Sequence, residues 1–170
     1  MIYYINKIVV WEAAMENIFF YDTSIGRVAI IDNGMEITAV GLKDRVDCKD
    51  KNVCETELIK IAANQLNEYL EGKRKDFELP LNPKGTEFQK KVWEALCNIP
   101  YGETRSYKQV AEVVGNPKAC RAVGMANNRN PIIIFVPCHR VIGSNGSLVG
   151  YGGGLDIKEK LLLLEKGTTS

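Results

Sequence analysis

The stretch "SYKQVAEVVGNPKACRAVGMA", residues 106–126, decides how the chain is read. Ser106 and Gln109 have the spacing of a capping box, opening a short helix that carries Val110, Val113 and Val114. Gly115 ends that helix. Asn116 is a good N-cap and Pro117 a good first-turn residue for the next one. Two short helices joined by a glycine-containing turn fit a helix-turn-helix. On the second helix Ala119, Ala122, Val123 and Ala126 share one face, while Arg121 points roughly opposite, with Gly124 near it. An outer side of small residues and one arginine can approach a nucleic-acid backbone or groove closely. The same spacing also describes an ordinary helical hairpin with a solvated Arg121.

Upstream, Thr86 caps a helix with Phe88, Val92, Trp93 and Leu96 on one face, and Pro100 and Gly102 end it. Before it, "KRKDFELPLNPKG", residues 73–85, is charged and carries Pro80 and Pro83, the composition of a boundary. The first part reads as strands. "IFFYDTSIG" predicts a strand and turn. Val28–Ile31 and Ile37–Val40, split by Asp32-Asn33-Gly34, predict a hairpin. Leu58, Ile59, Ala62, Leu66, Tyr69 and Leu70 recur at helical spacing up to Gly72. The expected fold is therefore two-domain α/β: a small antiparallel sheet with a helix in residues 1–80, and a mostly helical domain in residues 81–170.

Downstream, "IIIFV" between Pro131 and Pro137 predicts a buried, extended run that delivers "PCHRVIG", residues 137–143. "GSNGSLVGYGGG" is loop. Asp156 and Glu159 are placed to cap a last helix with Ile157, Leu161 and Leu164.

Composition excludes several classes. The chain has 170 residues, 45% hydrophobic and 25% charged, with a net charge of +1, as in an ordinary globular protein. Its apolar runs are too short to span a bilayer. The opening "MIYYINKIVVWEAAMENIFF" is interrupted by Asn6, Lys7, Glu12 and Glu16 and does not read as a signal peptide, so the expected place is the cytoplasm. Five cysteines (Cys48, Cys54, Cys97, Cys120 and Cys138) at irregular spacing argue against a disulfide framework. With one histidine in the chain, a structural zinc site is not expected.

That histidine, His139, directly follows Cys138. A cysteine attacks as its thiolate and needs a base or a positive environment. Neighbours on an extended chain point to opposite sides, so the pair requires a sharp turn or a bridging water. A base histidine is usually oriented by a third group. Glu165, on the apolar side of the last helix, is the candidate, since a buried carboxylate is costly unless paired. The residues alone fit equally an inert core thiol, a structural histidine and a solvated Glu165.

The run "NPIIIFVPCHRVIGSNG", then "GYGGGLDIKEKLLLLE", with "IPYGETRSYKQVAEVVGNPKACRAVGMANNRNP" upstream, resembles the O6-alkylguanine-DNA alkyltransferases, whose signature Pro-Cys-His-Arg-Val stands at residues 137–141. The resemblance spans about residues 86–166 and implies an RNase H-like N-terminal domain. It implies stoichiometric transfer of the alkyl group of O6-alkylguanine in double-stranded DNA, with O4-alkylthymine a lesser candidate, onto Cys138 of a monomer that uses no cofactor or metal. His139 would deprotonate Cys138 through a water, Glu165 would orient His139, and Asn130 would be a hinge supporting the thiolate. Tyr107 would contact phosphate and help protonate the leaving guanine. Arg121 would fill the gap left by the flipped nucleotide, with Ala119, Gly124 and Asn127 at the DNA face. Val141, Tyr151 and Gly152 would line the guanine pocket, with Ser144 at its edge and Ile133 in its wall. Gly152 and Ile133 stand where some members carry Ser and Pro. Three rival readings remain: a lesion-binding alkyltransferase-like protein, at odds with the presence of Cys138; a Cys–His hydrolase; and a helix-turn-helix transcription factor.

Overall fold

The computed structural model describes residues 2–5, 8–11 and 15–167. The part of the signal-peptide reading that rests on Asn6, Lys7 and Glu12 lies outside them. Strands β1 (Ile2–Ile5) and β2 (Ile8–Trp11) pair antiparallel. The main sheet uses β3 (Asn17–Thr23), β4 (Gly26–Asp32), β5 (Ile37–Leu42) and the short β6 (Asn52–Val53), in the order β5-β4-β3-β6. It is antiparallel except for β6, which joins β3 in parallel. The β4–β5 hairpin turns where Asp32-Asn33-Gly34 predicts, with Gly34 at φ 89°.

Strand alternation sorts side chains to the two faces. Val28 and Ile30 face α1 (Glu57–Leu70) and its Ile59, Ala62, Leu66 and Tyr69. Ile18, Ala29 and Ile31 form a smaller cluster on the other face. Thr56 caps α1 through Ile59 N–H, and the Thr56 hydroxyl also reaches the buried Asp32 carboxylate.

The second half begins with α2 (Glu87–Cys97), opened by a complete Thr86/Gln89 capping box. Strand β7 (Arg105–Ser106) precedes α3 (Tyr107–Val113), whose Ser106/Gln109 box also closes as expected. Helix α4 (Cys120–Asn128) starts later than Asn116-Pro117 implies. With Gly115 at φ 82°, Asn116 N–H turns back to the Ala111 carbonyl, so Asn116 closes α3 rather than opening α4. Residues 116–119 form a separate turn, and Ala119 caps α4 with no side-chain bond. Trp93 Nε1 donates to Ala126 O at 2.9 Å and pins α4 to α2.

The IIIFV run is buried but not extended. Ile134 adopts φ 74°, Phe135 N–H bonds Ile133 O, and Val136 N–H bonds Ile132 O. An apolar run reports burial, not backbone conformation. Here Asn130 supplies hydrogen bonds a neighbouring strand would give: its Oδ1 accepts Ile132 N–H at 3.0 Å and its Nδ2 donates to Val136 O at 2.9 Å. Cys138–Arg140 follow as a 3₁₀ turn, then β8 (Val141–Ile142), parallel to β7. Helix α5 (Leu155–Glu165) is capped by Gly154 at φ 101°, not by the side chain of Asp156, which sits in the first turn.

The two halves meet along β5. Ile37 exchanges bonds with Pro80 O and Asn82 N–H, and Val40 with Pro131 O and Ile133 N–H. The charged boundary segment and the chain leading to Cys138 thus cover the edge of one strand. No helix among the described residues is long and apolar enough to cross a membrane.

Candidate active site

Cys138 is fully buried at the start of the 3₁₀ turn. Asn130 Nδ2 donates to its Sγ at 3.1 Å, and Asn127 Nδ2 to its carbonyl at 3.3 Å. Burial pushes the thiol up to about 11, against the opposing pull of the Asn130 hydrogen bond and the Lys158 charge. The resting group is therefore the thiol. The backbone here turns sharply and is not extended.

His139 is fully buried, and its Nε2 lies 2.8 Å from Glu165 Oε1. Its Nδ1 has no hydrogen-bond partner among the described residues. Burial lowers its pKa despite the pull of Glu165, so the imidazole rests neutral. Glu165 is buried, not frayed into water. Burial acts to raise its pKa, but hydrogen bonds from His139 and Arg140 dominate and hold it down to about 2. Arg140 approaches Glu165 through Nε at 3.0 Å and NH2 at 2.9 Å and also holds Ile99 O. Gly102 N–H donates to Glu165 Oε2 at 3.0 Å.

Two further groups in this cluster, Tyr69 and Lys158, and one exposed group outside it, Arg45, were not singled out from sequence. Tyr69, from α1, donates its hydroxyl to Glu165 Oε1 at 2.6 Å. Lys158 is buried, with Nζ on Val141 O at 2.6 Å and Val149 O at 2.8 Å; burial lowers its pKa to about 8. Arg45 donates to Gly152 O at 2.8 Å. Tyr69 and Lys158 sit at apolar helical positions, and the available signal was that a buried hydroxyl or ammonium needs a partner. Arg45 had no local signal.

The predicted pocket residues are near one another in part. Val141 and Tyr151 are buried, and the Tyr151 hydroxyl has no hydrogen-bond partner among the described residues. Ile133 and Gly152 line one groove of about 390 Å³ with Arg45, Val40 and Asn130. A Cβ on Gly152 would meet Asn128 O at 3.4 Å, so the glycine is tight but not obligatory. Ser144 is exposed in the Gly143–Ser147 turn.

On the outer side, Tyr107, Arg121, Gly124, Met125, Val149 and Gly150 line an open, mostly apolar hollow of about 620 Å³. Arg121 is exposed and Ala119 half-buried. The Tyr107 ring lies 3.8 Å from where a Cβ on Gly124 would stand, and its hydroxyl donates to Val149 O at 2.8 Å. Asn127 does not share this surface. Its side chain turns inward to Cys138, because its position on α4 faces the core together with Val123 and Ala126.

A helix-turn-helix half that buries a thiol beside an imidazole–carboxylate pair, joined to a small sheet half, defines a DNA-binding type of protein armed with a cysteine nucleophile. Residues 87–167 match the model of the 6-O-methylguanine DNA methyltransferase DNA-binding domain, and residues 19–83 that of its ribonuclease-like domain. The chain belongs to the 6-O-methylguanine DNA methyltransferase family. It is 58% identical over 123 residues to the methylated-DNA--protein-cysteine methyltransferase of Methanosarcina acetivorans, covering 72% of this chain and 79% of that one. It is 51% identical over 152 residues to the constitutive enzyme of Bacillus subtilis, covering 85% and 92%. The crystal structure of Mycobacterium tuberculosis OGT in complex with DNA matches with a TM-score of 0.84 and 42% identity, over 91% of this chain and 94% of that one.

Proposed function

We propose that this protein repairs DNA directly, taking the alkyl group of O6-alkylguanine onto Cys138, once per molecule. The observation that carries the reading is the buried thiol held by Asn130 beside an imidazole whose Nε2 is committed to Glu165 and whose Nδ1 is free. Nδ1 takes the thiol proton, directly or through a water. The Cys138 thiolate then attacks the alkyl carbon, a carbon–sulfur bond forms, and the carbon–O6 bond breaks. Its electron pair leaves with guanine, which takes a proton, with Tyr107 the donor at hand. The product is a thioether, which no group here can cleave.

A thiol with no exposed surface cannot meet a base inside a duplex, so the damaged nucleotide must be flipped out. Three buried atoms without partners belong to residues around Cys138: His139 Nδ1, Asn127 Oδ1 and the Tyr151 hydroxyl. A guanine seated between Val141, Tyr151 and Gly152 offers polar groups to Asn127 Oδ1 and the Tyr151 hydroxyl, while His139 Nδ1 is kept for the thiol proton. Exposed Arg121 fills the vacancy in the stack, while Ala119 and Gly124 permit close approach to double-stranded DNA. The N-terminal half, up to about residue 80, supports this machinery, and residues 81–170 hold the acceptor and the DNA face. Five free cysteines suit a reducing cytoplasm.

The test is intact-mass measurement after incubation with a duplex bearing O6-methylguanine. One methyl group on Cys138 per molecule is expected, and none in Cys138→Ser. Repeated turnover, or modification elsewhere, would overturn the reading.

A further inference from the structure

Tyr69 belongs to α1, in the N-terminal half, yet its hydroxyl lies inside the His139–Glu165 pair. It stands 2.6 Å from Glu165 Oε1 and 3.2 Å from His139 Nε2. Proton bookkeeping then leaves one arrangement. Glu165 is ionised, held so by Arg140, Gly102 N–H and His139, and has no proton to donate. The single Tyr69 proton is spent on Glu165 Oε1. Toward Nε2, both the carboxylate and the tyrosine oxygen are therefore acceptors. Both require a proton on Nε2, and a neutral imidazole has only one N–H. Nδ1 is left as a bare lone pair.

We propose that Tyr69 is a positioning residue for alkyl transfer: it locks His139 in the Nε2–H form and so aims a basic Nδ1 at the Cys138 side. The N-terminal half thereby reaches into the reactive centre through one hydroxyl. This rests on the reading of His139 as the base for Cys138. The ring of Tyr69 also packs, with its centroid 5.2 Å from Phe77 and 6.0 Å from Tyr101. That packing survives in Tyr69→Phe, which removes the hydroxyl alone. The other charged or titratable groups acting on His139 are Glu165 and Lys158 from α5 and Arg140 from its own turn, with Cys138 its neighbour in the chain.

The chain has one histidine, so a ¹⁵N spectrum contains a single imidazole and its tautomer is read without assignment. The wild type is expected to show Nε2–H at neutral pH. In Tyr69→Phe, Glu165 loses a donor and holds an imidazolium better. The histidine signal then titrates at higher pH and the acid limb of the transfer rate moves up with it. Transfer at neutral pH slows roughly three- to ten-fold, the cost of one net hydrogen bond. Tyr69→3-fluorotyrosine, a stronger donor of nearly the same size, moves the acid limb the other way and keeps the question open to test should the phenylalanine variant not fold. An Nδ1–H tautomer in the wild type overturns the proposal. So does a rate loss uniform across pH, or a variant whose histidine titration matches the wild type. Should the wild type accept no methyl group at all, the transfer reading fails, while the tautomer measurement still decides the role of Tyr69.

Discussion

Helix α4 separates two unlike regions. On its inner side Asn127 meets Cys138, and beyond it Glu165 accepts bonds from Tyr69, His139, Arg140 and Gly102, all in a buried cluster. On its outer side Arg121, Met125 and Gly124 border an open hollow with Tyr107 and Val149. The inner region is saturated with fixed polar contacts except, among the described residues, at His139 Nδ1, Asn127 Oδ1 and the Tyr151 hydroxyl. The outer region is exposed and makes few. Chemistry at a buried thiol needs groups oriented in advance. Docking on DNA at any sequence needs a surface that adapts and grips backbone without reading bases. One short helix serves both because its faces differ.

The contrast predicts where mutations hurt. The largest loss of stability belongs to Glu165→Gln, which leaves the Arg140 guanidinium buried beside a neutral amide. About 3–5 kcal/mol is expected, read from denaturant midpoints. A loss under about 1 kcal/mol, the surface ion-pair range, would break the distinction between the regions. Asn130→Ala removes both clamps on the IIIFV turn and the donor on Sγ. It should cost about 1–3 kcal/mol and also slow transfer on a free alkylguanine base, which bypasses DNA.

Arg121→Ala tests the other side. Transfer from duplex DNA should fall roughly ten-fold or more, consistent with losing about 1.4 kcal/mol of help in flipping, while transfer from the free base and thermal stability stay unchanged. Equal loss with the free base would show that the outer face is not separate from the chemistry.

Acid should act through the inner region. The Glu165 pKa lies at about 2 in the folded protein against an ordinary 4.5. A depressed carboxylate stabilises the fold fully above its unfolded pKa, and that contribution disappears as pH falls through the folded value. Stability is thus expected to decline from about pH 4.5 toward 2, and to decline less steeply in Glu165→Gln. The smallest effect belongs to Ser106→Ala, the cap of α3, at about 1 kcal/mol with transfer nearly unchanged.

Much of this was legible one residue at a time. The cap at Thr86, the capping box at Ser106, the Asp32-Asn33-Gly34 hairpin and the α1 stripe are local patterns, and local hydrogen bonds satisfy them. Where conformation depends on particular hydrogen bonds that no apolar periodicity reports, local reading failed. The IIIFV run curls because Asn130 and β5 supply its bonds. Helix α4 starts late because Asn116 N–H is drawn back to α3. Asn127, placed at the DNA face by the family resemblance and not by local reading, turns inward because α4 docks against Trp93 and the Cys138 turn.

By itself the sequence determined the adjacency of a lone histidine and a cysteine, and it predicted the main helices, the hairpin and the glycine turn between α3 and α4, because these follow from neighbours in the chain. Only the tertiary structure decided that Glu165 is buried and charged, that Arg140 and Gly102 hold it there, and that Tyr69 enters from the other half. These residues lie 25, 63 and 96 positions from Glu165. No periodicity links them; what does is the desolvation of one carboxylate, which obliges the fold to gather every donor within reach.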